Sequence, residues 1–162
     1  IKKYLQLIMM SMTTTILMMG IAQVIREIMK KLTNKELVKL YYNELWNKQN
    51  KDYIDILFDD NITFHGSLDV SVTGKEEFRN YMDTILTGIP NLFHIVVTMV
   101  CEDDTIAVKA LYNGRHTGKL FDYEASNNKI VYSGASFFKF KDGKIIDIWV
   151  LGDLKNLIKQ LS

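Results

Sequence analysis

The sequence predicts one α+β domain, with helices first and a curved antiparallel sheet after, and three observations carry this. Helical periodicity is confined to the first half of the chain after residue 33. Four runs rich in Val, Ile, Phe and Tyr fill the second half. Those runs follow one another without intervening helical segments, which excludes an alternating parallel-sheet fold.

The elements read in order as follows. Thr33 with Glu36 three residues on is a capping box, each side chain satisfying a free backbone N–H at the other end. A helix follows to about Lys48, with an apolar face of Leu37, Leu40, Tyr41 and Leu45 and with Trp46 at its margin. Residues 51–58 read as a short second helix with Tyr53, Ile54 and Leu57 inward, ended by Asp59-Asp60-Asn61. Residues 62–65 read as a first strand. Thr73-Gly74-Lys75-Glu76 repeats the capping-box pattern before a helix carrying Phe78, Tyr81, Met82 and Ile85, which Gly88 and Pro90 stop. Strands are then predicted over 92–101, 105–116, 129–140 and 144–151, with Glu102-Asp103-Asp104 and Asp142-Gly143 as turns, and 153–161 as a final helical segment.

The 162 residues suit one domain with its own core, and the 48% hydrophobic content is that of a folded globular protein. A net charge of +1 gives no field for gathering nucleic acid. Cys101 is the single cysteine, so no intrachain disulfide forms; its place in an apolar strand run predicts a small buried hydrophobe. Histidines at 65, 94 and 116, with no carboxylate at ligand spacing, predict no metal site. His94, at the opening of a strand, is expected at an edge or surface.

The amino terminus is of another kind. Lys2 and Lys3 precede an uncharged, largely apolar stretch over residues 4–25, and Gly20 and Ala22 lie two apart like the small residues of a signal-peptidase site. Residues 1–22 therefore read as a signal peptide cleaved after Ala22, residues 23–33 as a lead-in, and 34–162 as the domain. That makes the protein exported, periplasmic or secreted, and off the membrane once processed. An uncleaved membrane anchor over 4–25 is the alternative.

The last third holds the sharpest motif: Asn113-Gly114-Arg115-His116-Thr117-Gly118, then about a dozen residues, then Ser133 to Trp149 ending Phe138-Lys139-Phe140-Lys141-Asp142-Gly143-Lys144-Ile145 and Asp147-Ile148-Trp149. This resembles the SnoaL-like polyketide cyclase (ester cyclase) family, whose members carry a G-x-H-x-G turn and a strand ending F-x-F-x-D-G-K-I-x-x-x-W. The resemblance covers about residues 34–151. It implies the cone-shaped, cystatin-like α+β fold shared with nuclear transport factor 2 and ketosteroid isomerase, with a small-molecule cavity and no cofactor. The run Asp122-Tyr123-Glu124-Ala125-Ser126-Asn127 replaces the Gly- and Pro-containing loop of many relatives, so substrate specificity does not transfer.

Strand alternation nominates the cavity residues. Ile106, Val108, Ala110, Tyr112 and His116 share the face opposite Lys109, Asn113 and Arg115. Tyr132, Gly134, Ser136, Phe138 and Phe140 share the face opposite Lys139. Tyr112, Tyr132 and Ser136 are therefore candidate substrate-binding residues, joined by Trp149 and Tyr42 as aromatic walls. His116 in the G-x-H-x-G turn and His65 after the first strand match positions where the family commonly has histidine, and a group with a pKa near ~6.5 suits proton transfer in enolisation or ring closure. They are the candidate catalytic residues, with Tyr112 or Tyr132 stabilising an enolate oxygen. The family's established cyclases use a cavity aspartate as acid and base; Ser136 stands on an inward strand position where such a carboxylate is sought.

The expected function is binding of a small apolar keto compound, with cofactor-free acid–base cyclisation or isomerisation as its catalytic form. An exported non-catalytic ligand-binding or dimerisation module on the same fold is the alternative, and a ketosteroid-isomerase-like enzyme a third reading. Apolar Ala107, Leu111, Ala135 and Phe137 on the outer sheet face predict a homodimer.

Overall fold

The computed structural model describes residues 14, 16–21, 23–25, 27 and 31–162. The chain divides into two units, Ile1–Leu32 and Thr33–Ser162. In the first, residues 14, 16–21, 23–25 and 27 are helical and exposed, and among the described residues no helix is long and apolar enough to cross a membrane. The expected cleavage after Ala22 and much of the expected leader over 1–22 lie outside the described residues.

In the second unit Thr33 caps α1 (Asn34–Leu40) as its sequence requires. Its Oγ1 accepts from Glu36 N–H at 3.3 Å, and its own N–H donates to Glu36 Oε2 at 2.7 Å. The chain then widens without a break into a π-helical segment, Tyr41–Asn47. Its i→i+5 hydrogen bonds bring residues five apart onto one face, so Tyr41 and Trp46, which an α-helix would splay, both turn inward. A regular helix to Lys48 was the expectation, and the π segment corrects it.

After α2 (Asp52–Leu57), β1 runs Phe58–Gly66 and β2 Val70–Thr73. The expected turn at Asp59-Asp60-Asn61 is strand: a register irregularity against the neighbouring strand between Phe58 and Thr63 accommodates the polar run. The helix α3 (Lys75–Gly88) takes Gly74 as N-cap, so the second expected capping box does not form. Glu77 accepts the Thr73 N–H at 2.8 Å instead. The remaining strands are β3 (Phe93–Glu102), β4 (Thr105–Arg115), β5 (Lys129–Lys141) and β6 (Lys144–Gly152), followed by α4 (Leu154–Leu161), which Asp153 caps. The β5–β6 hairpin closes on Asp142 and Gly143 at φ 51° and 74°, the positive values an Asp-Gly turn supplies.

The six strands form one sheet in the order β2-β1-β6-β5-β4-β3, antiparallel except for β1 beside β6. The core lies between its inner face and the helices: Leu37, Tyr42 and Leu45 on the helical side and Ile106, Val108 and Phe138 on the sheet are all buried, and the Tyr42 and Phe138 rings meet at 6.0 Å between centroids. Each such apolar side chain contributes about 1.5–3 kcal/mol by leaving water. β3 is an edge strand, and Cys101 near its end is exposed, which corrects the expectation of a buried thiol. A second irregularity, between Lys139 and Phe140 in the β5–β6 pairing, shifts the alternation of β6. Ile145 and Ile148, three apart, are both buried, and Trp149 comes to the outer face.

Candidate functional site

Aromatic side chains from both halves of the chain close around a cavity of about 60 Å³ on the inner side of the sheet. The π segment contributes Tyr41, Tyr42 and Trp46; the sheet contributes His94, Tyr112, Tyr132 and Ser136; α3 adds Tyr81, and the loop after β4 adds Leu120. His94 is the hub. Its ring centroid lies 4.9 Å from Tyr112 (edge-on), 5.1 Å from Trp46 and 5.7 Å from Tyr42. Asn47, at the end of the π segment, fixes its backbone: Asn47 Nδ2 donates to His94 O at 2.9 Å and Asn47 Oδ1 accepts from His94 N at 2.7 Å. The side-chain amide thus stands in for the strand neighbour that edge strand β3 lacks at this point.

The cavity carries no formal charge at neutral pH. Among the described residues no Asp, Glu, Lys or Arg lines it. Burial pushes the His94 imidazole down to about 3, so it is neutral at pH 7. Burial likewise pushes the Tyr42, Tyr81, Tyr112 and Tyr132 phenols above their ordinary value, so they remain protonated. Tyr112 Oη and Ser136 Oγ share a hydrogen bond of 3.3 Å. Tyr42 Oη, Trp46 Nε1 and His94 Nδ1 have no hydrogen-bond partner among the described residues. Trp46 Nε1 lies near Tyr41, and Tyr42 Oη near Ser136 and Tyr112, in neither case with hydrogen-bond geometry. Buried polar atoms left in this state are uncommon and costly.

Of the residues nominated from sequence, Tyr42, Tyr112, Tyr132 and Ser136 converge here. His116, His65 and Trp149 do not. His116 is fully buried but outside the lining: its Nδ1 lies 3.1 Å from Ser126 Oγ and accepts the Ser126 N–H at 3.3 Å. His65 is exposed on β1 and pairs with Ser71 Oγ at 2.9 Å, because its parity places it opposite buried Phe64. Trp149 is 42% exposed and packs on Phe137, 5.8 Å between centroids, on the outer face. His94, expected at an edge or surface, lies on the edge strand, but its side chain is buried and is the histidine in the cavity. The register that pairs it with Tyr112 gives it that residue's inward face.

The G-x-H-x-G turn has a packing role. A Cβ on Gly114 would sit 2.4 Å from Ile89 Cγ2, and one on Gly118 2.0 Å from Thr87 O. Between them Thr117 and Gly118 both donate backbone N–H groups to Gly88 O at 3.1 Å. The glycines let the end of β4 press against the last turn of α3, and His116 is buried by that contact. Among the described residues no three His, Cys, Asp or Glu side chains converge as metal ligands would.

A family model, SnoaL-like polyketide cyclase, matches residues 36–161. The chain belongs to this family. Its structure resembles a SnoaL-like polyketide cyclase, so described, from Jannaschia sp. CCS1, at TM-score 0.75 and 21% identity over 80% of this chain and 91% of that one. TsrD from Streptomyces laurentii follows at TM-score 0.71 and 18% identity, covering 82% and 98%. A protein with a ketosteroid isomerase-like fold from Catenulispora acidiphila, solved with trimethylamine, gives TM-score 0.68 and 17% identity, covering 79% and 93%. No curated protein sequence matches the chain significantly. At these identities the structural likeness speaks for the fold, which is that of nuclear transport factor 2 and ketosteroid isomerase.

Proposed function

We propose that this SnoaL-like domain binds a small, apolar, uncharged keto compound in the cone and hydrogen-bonds its oxygen without turning it over. The observation that carries this is the neutrality of every group lining the cavity. Enolisation or aldol closure needs a base whose pKa lies near the working pH. His94, held at about 3, is a feeble base at pH 7, and protonated phenols are donors. The unpaired Trp46 Nε1–H and Tyr42 O–H suit a carbonyl oxygen, which would relieve the desolvation cost of about 1–3 kcal/mol that each carries alone.

The cavity of about 60 Å³ is smaller than the roughly 300–1,000 Å³ of typical ligand pockets. Binding therefore requires the tyrosines to swing aside or the loop carrying Leu120 to lift. Tyr112, Tyr132 and Ser136 then act as walls and hydrogen-bonding partners. Export of the domain belongs to the same proposal and rests on the largely apolar run over residues 4–25 and the spacing of Gly20 and Ala22.

The test uses 1-tetralone as probe. With Trp149 changed to Phe, Trp46 is the sole tryptophan, and its fluorescence should report saturable binding. In deuterated buffer the α-protons of tetralone should exchange no faster with protein than without. Accelerated exchange that His94→Phe abolishes would replace this reading with the acid–base enzyme.

A further inference from the structure

We propose a second ligand site, for an amphipathic monocarboxylate, in the groove between the first helix and the edge strand β3. The groove measures about 540 Å³ and shares His94 with the lining of the cavity. This volume falls within the range of about 300–1,000 Å³ usual for small-molecule sites. Its helical wall is Lys35, Lys39, Asn43 and Asn47, four residues apart and so one stripe along α1 and the π segment. Its opposite wall is the start of β3, Phe93, Ile95, Val96 and Met99 around His94, with Phe93 and Ile95 each 46% exposed.

Two ammonium groups line this groove and neither forms an ion pair among the described residues, although Lys39 adds to the Thr33 hydrogen bonds in holding the Glu36 carboxyl below its ordinary value. The acidic groups of the same helix are engaged elsewhere, Glu36 with Thr33 in the capping box and Glu44 with Lys48 at 2.7 Å. Lys48, Lys51, Lys75 and Lys119 all have carboxylate partners among the described residues, whereas Lys35 and Lys39 form no ion pair there. Asn47 is occupied by the His94 backbone, which leaves the two ammonium groups and the Asn43 amide facing the groove. A wall with two cations opposite a largely apolar wall complements a molecule with one anionic end and an apolar chain. The carboxylate lies on Lys35 and Lys39, and the chain lies along Phe93, Ile95 and Met99.

The full chain, labelled with ¹⁵N, is titrated at low salt with octanoate and, separately, with octan-1-ol. Octanoate should shift the amides of residues 35–47 and 93–99 and bind at least tenfold more tightly than the alcohol. The double variant Lys35→Gln, Lys39→Gln should melt like the parent, because both side chains are exposed and form no ion pair among the described residues, and should bind octanoate about tenfold more weakly. Lys39→Glu, which reverses the charge, should lose as much. Ile95→Ser should weaken acid and alcohol alike. Equal affinity for the two probes, undiminished binding by the lysine variants, or shifts confined to Tyr112, Tyr132 and Ser136 would overturn the site. Capture by phosphatidylglycerol vesicles with no response to octanoate would overturn it in favour of a membrane surface.

Discussion

Replacing His94 by Phe tests the electrostatic reading of the cavity directly. Above its ordinary pKa of 6.5 the imidazole is neutral whether the chain is folded or not, and it adds nothing to the pH dependence of stability. Below 6.5 the unfolded chain takes up a proton that the folded chain, with His94 held at about 3, refuses. Because the unfolded state binds more protons in this window, stability falls with pH from about 6.5 to about 3 and the loss is complete below that. Each unit is worth about 1.4 kcal/mol, so at pH 5 the penalty is on the order of 2 kcal/mol, and near pH 3 on the order of 4.

Every other titratable group is common to both proteins, so the difference between parent and His94→Phe isolates this group. Urea unfolding at pH 7.5, 6 and 5 reads it. The variant should be as stable as the parent at pH 7.5, or more stable, since Phe keeps the ring contacts with Tyr112 and Trp46 while removing the unpaired Nδ1. Between pH 7.5 and 5 the parent should lose about 2 kcal/mol more than the variant. Parallel profiles would refute the desolvated, neutral histidine and, with it, the uncharged cavity.

Three further outcomes follow from the geometry. His116→Ala should lower stability by about 1–3 kcal/mol through the orphaned Ser126 N–H and leave tetralone affinity per folded molecule unchanged, while His65→Ala, at an exposed position, should stay within about 0.5 kcal/mol; urea melts with fluorescence titration measure both. Gly118→Ala should cost at least about 1–3 kcal/mol, because the new methyl meets the Thr87 carbonyl at 2.0 Å and the backbone must shift; a small change in thermal melting would show the contact to be loose. We also expect the outer face, where Phe137, Trp149, Val131 and Leu151 are 40–55% exposed, to be covered by a second copy. Light scattering should then give a dimer mass that Phe137→Glu reduces to a monomer, and a parent already monomeric at high concentration would reject it.

The long strands were legible because alternation over many residues is a strong signal, and Thr33 and Asp142-Gly143 carry local chemistry that leaves one conformation. Tyr112 and Ser136 were placed correctly by alternation because β4 and β5 pair without irregularity across them. Trp149 was nominated for its aromatic ring and not by alternation, and alternation from buried Ile148 turns it to the outer face. Asp59-Asp60-Asn61 has the composition of a turn, and only its neighbouring strand makes it extended. Trp46 and Tyr41 cannot share a face under α-helical periodicity. His94 follows a proline-containing turn and looks like an edge residue, which it is in the sheet order although its ring points into the core.

The features that escaped the sequence are mechanically linked. The widened winding of Tyr41–Asn47 delivers Tyr42 and Trp46 to one side of His94 and sets Asn47 against its backbone. With Asn47 making both backbone hydrogen bonds of His94 on the side where β3 has no strand neighbour, the imidazole is set within its ring of aromatics. Desolvation then removes the basicity that makes histidine a proton carrier. Along the groove the same helical stretch carries Lys35 and Lys39 into solvent with their charge intact. A single helical stretch thereby separates an uncharged interior from a lysine-lined groove, and the ligand proposed for each follows from how much water the helix leaves around it.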